Sequence, residues 1–311
     1  MKKSSFLPRI TFGIMGILFG ILFVYFLILA IYYLHNEEKL TIQIGICILN
    51  SFLAALLATL ISAVSTYLKN LLQKRKHTRK LWRLPHPQKS TICLAAHKWD
   101  QVLHNPPGKR TRYGVGEGQI QALPYIMTSL HHAYGDDYSW NNIYQAHSRH
   151  ADYAYDNNHN LILIGGPLTN PLTEQIIKDV STRVQISPFT TEGVTITIPS
   201  RHIISPHTVK RKHYKVNGIY PATTDYALIL HVTQGDISTK RKVVLIAGCN
   251  TNSTGAAAYH FCNRLQTDEK WQNIDGKDYV AIIECQYDYM HPNGNHNEFH
   301  VQTELIFIQA I

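Results

Sequence analysis

The stretch Leu161-Ile162-Leu163-Ile164-Gly165-Gly166-Pro167-Leu168-Thr169-Asn170 decides the fold. Its four successive apolar residues show no polar alternation, so the strand they form is covered on both faces. Two glycines and a proline stop the strand, and a helix is predicted from near Thr173. The pattern recurs at Val243 to Ala247, which runs into Gly248-Cys249-Asn250-Thr251-Asn252-Ser253-Thr254-Gly255 and an Ala-rich helix from about Ser253 to Leu265. Buried strand, glycine loop and helix in that order indicate an α/β three-layer domain with a mostly parallel sheet.

Working outward, Thr91 to Ala96 is a candidate first strand, and Asn105-Pro106-Pro107-Gly108 breaks the chain. Lys109-Arg110-Thr111-Arg112-Tyr113-Gly114-Val115-Gly116-Glu117-Gly118 then reads as a basic, glycine-rich loop. The helix after it carries Ile120, Leu123, Ile126, Met127 and Leu130 at helical spacing. Asn142 to His147, Tyr226 to Val232 and Asp278 to Cys285 read as further strands. Phe299 to Ile308 reads as a terminal edge strand, and Gly193 to Val232 as an antiparallel insertion or extension.

Ligands of open α/β sheets bind at the carboxyl ends of the strands. Three polar glycine loops, two of them following buried strands, would converge there if the sheet is parallel. Helix N-terminal amides with nearby guanidinium groups form an anion site, which selects Arg110, Arg112, Gly116 and Gly118 in the first loop. Gly165, Gly166 and Asn170 are selected in the second, and Gly248, Asn250, Ser253, Thr254 and Gly255 in the third. Each loop taken alone is also ordinary turn and cap chemistry. The spacing is not a Walker loop and lacks the acidic residue of the dinucleotide fingerprint, so neither ATP nor NAD is specified and the cofactor stays unknown.

The pairing of G-G-P-x-x-N (Gly165 to Asn170) with A-G-x(5)-T-x-A-A (Ala247, Gly248, Thr254, Ala256, Ala257) resembles a Rossmann-like domain of some prokaryotic membrane and surface proteins, archaeal S-layer proteins among them. The resemblance covers about half of the soluble region and carries no catalytic residue across.

The N-terminal part has a different composition. Ile10 to Leu34 has no charged residue and, at ~1.5 Å per residue, is long enough for a ~30 Å hydrocarbon core. Leu40 to Leu68 is also uncharged, and only Asn36-Glu37-Glu38-Lys39 separates the two. A two-helix transmembrane hairpin is expected over 1–68, a basic juxtamembrane linker over 69–89, and the cytosolic α/β domain over 90–311. Lys2, Lys3 and Arg9 precede the first span, and Lys69, Lys74, Arg75, Lys76, Arg79, Lys80, Arg83 and Lys89 follow the second. Both termini are therefore expected in the cytoplasm of a bacterial inner or plasma membrane. The two-span layout is similar to that of bacterial effectors in nucleotide-signalled defence. Ala54, Ala58, Ser62 and Thr66 form a small-residue stripe that suits packing within one hairpin first and packing between protomers second, and a homo-oligomer is expected. Neither span holds an ionisable residue, which argues against a transporter.

The net charge of +9 owes much to the juxtamembrane segment, which reads as lipid contact rather than nucleic-acid binding. The 5 cysteines include no CxxC and read as small core residues. His296, Glu298 and His300 alternate, with His291 near, but in a chain of 18 histidines they read as a polar edge rather than a zinc site. Cys249 at a helix start has His231, His260 or His291 as candidate partners for hydrolase chemistry, none fixed locally. The expected function is a membrane-anchored ligand-binding, nucleotide-sensing effector or sensor. A membrane-tethered nucleotide or glycosidic-bond hydrolase, with Glu117, Glu174 and Glu284 as candidate carboxylates, and a non-catalytic scaffold are the alternatives.

Overall fold

The computed structural model describes residues 20, 23–25, 27–28, 31–32, 39–104, 107–138, 142–146, 148–187, 193–199, 207–210, 212–213, 222–235, 240–249, 251–274, 276–288 and 300–311. The chain divides into two compact units, Met1–Leu72 and Gln73–Ile311.

Within the first unit the dominant element is the N-terminal part of helix α1, Lys39–Trp82. Among the described residues it is the one helix long and apolar enough to cross a membrane, over Gln43–Trp82. Ile44, Leu57, Leu60 and Ile61 are all exposed. A helix apolar all round needs a non-aqueous neighbour. The expected first span lies mostly outside the described residues, as does its connecting turn. The described positions between 20 and 32 are helical. Among the described residues one membrane-competent helix covers the second expected span, and the first lies mostly outside them.

The stretch expected as a basic linker is helical as far as Trp82. The last turns of α1 belong to the second unit, and Leu81 and Trp82 are fully buried in its core. The Trp82 indole nitrogen donates to Ser129 Oγ at 2.8 Å, and the ring meets Phe261 edge-on at 5.0 Å. His231 Nε2 lies 3.1 Å from the Trp82 carbonyl oxygen. It must be the protonated, donating nitrogen, which leaves Nδ1 to accept from Arg83 Nη2 at 2.9 Å.

The second unit is built on an eight-stranded sheet. Its strands are β1 (Ser90–Leu94), β4 (Ile143–Gln145), β5 (Asn160–Ile164), β10 (Ala222–Gln234), β11 (Arg241–Gly248), β12 (Tyr279–Asp288) and β13 (His300–Ala310). They lie in the order β13-β12-β10-β11-β5-β1-β4, with the short β9 (Lys212–His213) paired to β10 off this path. β4, β1, β5 and β11 pair in parallel, and β10, β12 and β13 are antiparallel to their neighbours. Five of the seven strands on the path therefore run one way, with β10 and β13 opposed. The antiparallel half extends through β12 and β13, further than the insertion expected over 193–232. Two small sheets accompany it: the hairpin β2 (His97–His104) with β3 (Pro107–Gly114), and β6 (Gln185–Ile186), β7 (Gly193–Thr197) and β8 (His207–Lys210).

Helix α2 (Glu117–Tyr134) follows the hairpin, α3 (Arg149–Asp156) joins β4 to β5, and α4 (Pro171–Asp179) follows β5. Helix α5 (Thr251–Asn263) follows β11, and the short α6 (Glu269–Gln272) leads to β12. One sheet face carries Ile92, Ile162, Ile164 and Val244 against Ile126 and Leu130 of α2 and Phe261 of α5. The other carries Cys93, Leu161, Leu163 and Leu245 against Ala151 of α3, Ile176 of α4 and Val194 and Ile196 of β7. Successive strand residues point to opposite faces, so the unbroken apolar run from Leu161 fills both cores. This is the mixed α/β three-layer architecture.

At the edge where β10 ends and β12 begins, Asp278 ties the strands together. Its carboxylate accepts from Arg183 Nη2 at 2.7 Å, the Thr233 amide at 2.7 Å and Lys242 Nζ at 3.0 Å. Burial alone would raise its pKa. The Arg183, Thr233 and Lys242 donors outweigh burial and hold the carboxyl far below its usual range.

Candidate functional site

The site is the opposite edge, where β1, β5 and β11 end. Helix α2 packs on one face of the sheet after β1, and α4 on the other after β5. Adjacent parallel strands whose following helices leave to opposite faces open a crevice between their carboxyl ends. β1 and β5 are that pair. The Ala95 amide donates to the Ile164 carbonyl at 2.9 Å and the Ala96 amide to the Thr169 carbonyl at 3.0 Å.

Gly165 has φ +110, a conformation side chains avoid. A Cβ there would lie 2.6 Å from Ala95 Cβ and 3.2 Å from Gln119 Nε2. Gly255 in the first turns of α5 is placed less tightly: a Cβ would lie 3.0 Å from Gln121 Oε1 and 3.1 Å from the Gly118 carbonyl of α2. Its absence lets the N-terminal turns of α2 and α5 approach. Gly116, Gly118, Gly165, Gly166, Asn170, Gly248, Ser253, Thr254 and Gly255 thus gather at one edge.

Several of these residues are spent on the fold. Asn170 is fully buried. It caps α4 by accepting the Thr173 amide at 3.2 Å. Thr173 Oγ1 donates to the Gly165 carbonyl at 3.0 Å, and Thr254 Oγ1 accepts the Gly248 amide at 3.0 Å. Ser253 is fully buried. The loop expected around Arg110 and Arg112 is instead strand β3, with Arg110 opposite Gln101 and Arg112 opposite Trp99. Local composition could not show this, because pairing with a partner strand decides strand formation. The side chains of both arginines, and the whole of Asn250, lie outside the described residues, as do His291, His296 and Glu298.

Gln119, Asp225 and Tyr226 were not selected from the sequence, whereas Glu284 was a candidate carboxylate. Gln119, in the first turn of α2, is 4% exposed, and its Oε1 is enclosed without a hydrogen-bond partner among the described residues. An acceptor left so costs about 1–3 kcal/mol. Asp225, fully buried on β10, stands opposite Cys285 of β12. Tyr226 Oη donates to Glu284 Oε2 at 3.2 Å. Burial, then the Glu284 carboxylate, pushes the Tyr226 hydroxyl up to about 12. Burial, then Asp225, pushes the Cys285 thiol well up.

The edge is therefore electrostatically divided. Its β10–β12 side carries the carboxyl groups of Asp225 and Glu284. Its β1–β5 side carries the N-terminus of α2, capped by Gly116 without any side-chain hydrogen bond. Such a terminus carries roughly half a positive charge and unpaired amides. Glu117 in that turn is exposed, and its Oε1 accepts from Gln121 Nε2 at 3.2 Å.

Among the described residues Cys93 and Cys285 are buried in the core, and Cys249 and Cys262 are half-buried against it. Burial pushes the Cys93 thiol up to about 12, and Cys93, Cys249, Cys262 and Cys285 are unbridged. Among the described residues no group of three His, Cys, Asp or Glu is placed to hold a metal ion.

The S-layer like family, outer domain, matches residues 152–265. That segment runs from α3 to the end of α5 and contains both glycine loops of the resemblance. No curated protein matches the chain, and no solved structure does. The S-layer-like segment and the membrane-competent helix both point to association with a membrane or cell surface.

Proposed function

We propose that the chain is a membrane-anchored sensor or effector whose α/β domain binds a small anionic ligand, a nucleotide, at the β1/β5 edge. The carrying observation is the first turn of α2, which presents amides with no side-chain cap beside a glycine loop at the switch between β1 and β5. The small-residue stripe of α1 supports self-association in the bilayer, and the surrounding basic residues support contact with anionic lipid. Nucleotide binding, signalling and a role in antiviral defence belong to this proposal.

The test is a thermal-shift titration of the full-length protein in lipid nanodiscs against a nucleotide panel and inorganic phosphate. Ligand at a hundred times its Kd stabilises by ~2.7 kcal/mol, a measurable rise in Tm. No shift with any of them sinks the reading.

A scaffold reading is favoured by Asn170, Ser253 and Thr254, which are buried and, at Asn170 and Thr254, engaged by the chain itself. It expects no ligand shift.

A further inference from the structure

The C-terminal ends of α1 and α2 meet within the second unit. Arg75 Nε donates to the Ala133 carbonyl oxygen of α2 at 3.3 Å, and Arg79 Nε to the same oxygen at 2.6 Å. The Arg79 guanidinium also lies over the Tyr134 ring, 5.7 Å from its centroid. Cations are favourable at a helix C-terminus. The contact brings the last turn of α2 to the basic run of α1. His131 and His132 are exposed there, as is Lys74. Desolvation, then the Lys74 ammonium, then His131, lowers the His132 pKa. Among the described residues the acidic side chain paired into this patch is Asp137, exposed and 4.0 Å from Arg79 Nη2.

The patch has a definite place along α1. Tyr67, Leu68, Leu71 and Leu72 are all exposed. Exposed apolar residues on a membrane-competent helix need a non-aqueous neighbour. Lys74 follows Leu72 by two residues in the same helix, a rise of ~3 Å. A bilayer of ~40–45 Å around a ~30 Å hydrocarbon core has a polar layer of roughly 5–7 Å on each side. With the apolar boundary at Leu72, Lys74 and Arg75 fall within that layer, where long cationic side chains turn their heads to the polar groups. A nucleic acid in solution fits the charge but not this position beside exposed leucines.

We infer that Lys74 and Arg75 of α1 and His131 and His132 of α2 form one binding site for the phosphate of an anionic phospholipid, so that the α/β domain itself, through α2, takes part in lipid contact. The inference rests on the membrane anchoring proposed above. Lys74 supplies an ammonium. Arg75 supplies a guanidinium with five N–H donors, of which Nε is used at Ala133. Each imidazole offers an N–H in either protonation state.

The test compares the Tm of the full-length protein in nanodiscs of phosphatidylcholine with that in discs also containing phosphatidylglycerol. Native mass spectrometry reads which lipid the protein retains. Wild type is expected to melt about 5 °C higher in the mixed discs and to retain phosphatidylglycerol selectively. Lys74→Gln with His132→Gln, both at exposed positions, is expected to lose at least about half of that rise. Lys178→Gln, on α4 at the opposite sheet face, is expected to keep it. A wild type with equal Tm and no selective retention overturns the inference, as does a double variant with the full rise. Inorganic phosphate or polyuridylic acid that reproduces the rise in phosphatidylcholine discs overturns it in favour of a soluble anion or a nucleic acid. Alkaline carbonate extraction reads the anchoring separately. Release of wild type from membranes overturns both readings, and retention without any phosphatidylglycerol effect overturns this one alone. Should the double variant fail to fold, His132→Gln alone takes its place, and an unchanged rise in that variant overturns the inference.

Discussion

His231 shows how one residue can be misplaced by sequence and settled by packing. By composition it was one of three candidate partners for Cys249. On β10 it pairs with Val244, whereas Gly248, the neighbour of Cys249, pairs with Ala227 at the far end of the ladder. Its ring is instead held by Trp82 and Arg83 and stacks on Tyr279 with centroids 5.3 Å apart. Burial first, then the positive charges of Arg83 and Lys242, pushes His231 down to about 3 from an ordinary 6.5. His260 is pushed down to about 4, by burial and then by Arg264. An unfolded chain takes up these protons near pH 6.5 and the folded one does not. Their contribution to stability is thus complete above that pH and is lost as pH falls towards 3 to 4. Tm should therefore fall between pH 7 and pH 5, and His231→Gln should flatten the fall. A Tm constant across that range would contradict the assignment. Gln119 was equally illegible: one glutamine in a helical pattern gives no sign that its oxygen is enclosed.

At the scale of elements, the sequence was most legible where a run is apolar throughout. β5 and β11 were placed within a residue or two because both faces of each are covered, and α2 and α5 because their apolar spacing is helical. Two segments rich in Lys and Arg misled for one reason: solvated charge hides the partner that organises the backbone. One is the β3 strand around Arg110 and Arg112. The other is the end of α1, where Lys74 to Arg83 conceals a last turn that presents Thr78, Leu81 and Trp82 inward. Trp82→Ala should cost ~3–5 kcal/mol, since the site is fully enclosed and also loses the bond to Ser129. For a domain of this size that corresponds to a fall in Tm on the order of 10 °C. A variant within about 2 °C of wild type would show that α1 does not wall the core.

For the molecule as a whole, the segment resembling an S-layer outer domain invites an extracellular assignment, while the basic residues flanking the apolar segments support a cytoplasmic one. Green fluorescent protein fused after Ile311 is expected to fluoresce in intact cells, and alkaline phosphatase at the same joint to be inactive. The reverse pair of results would put the α/β unit outside and retire the nucleotide proposal with it. The described residues leave the first apolar stretch unplaced, so the hairpin remains a reading of composition. The buried end of α1 also governs how such a protein can be recombined. Ser90 looks like the natural seam, after the prolines and at the first strand. A domain joined to a new anchor there would arrive without Leu81 and Trp82, leaving a gap against α2 and α5. The transferable piece begins inside a helix, at about Gln73, and brings its own stub of α1 into any new host.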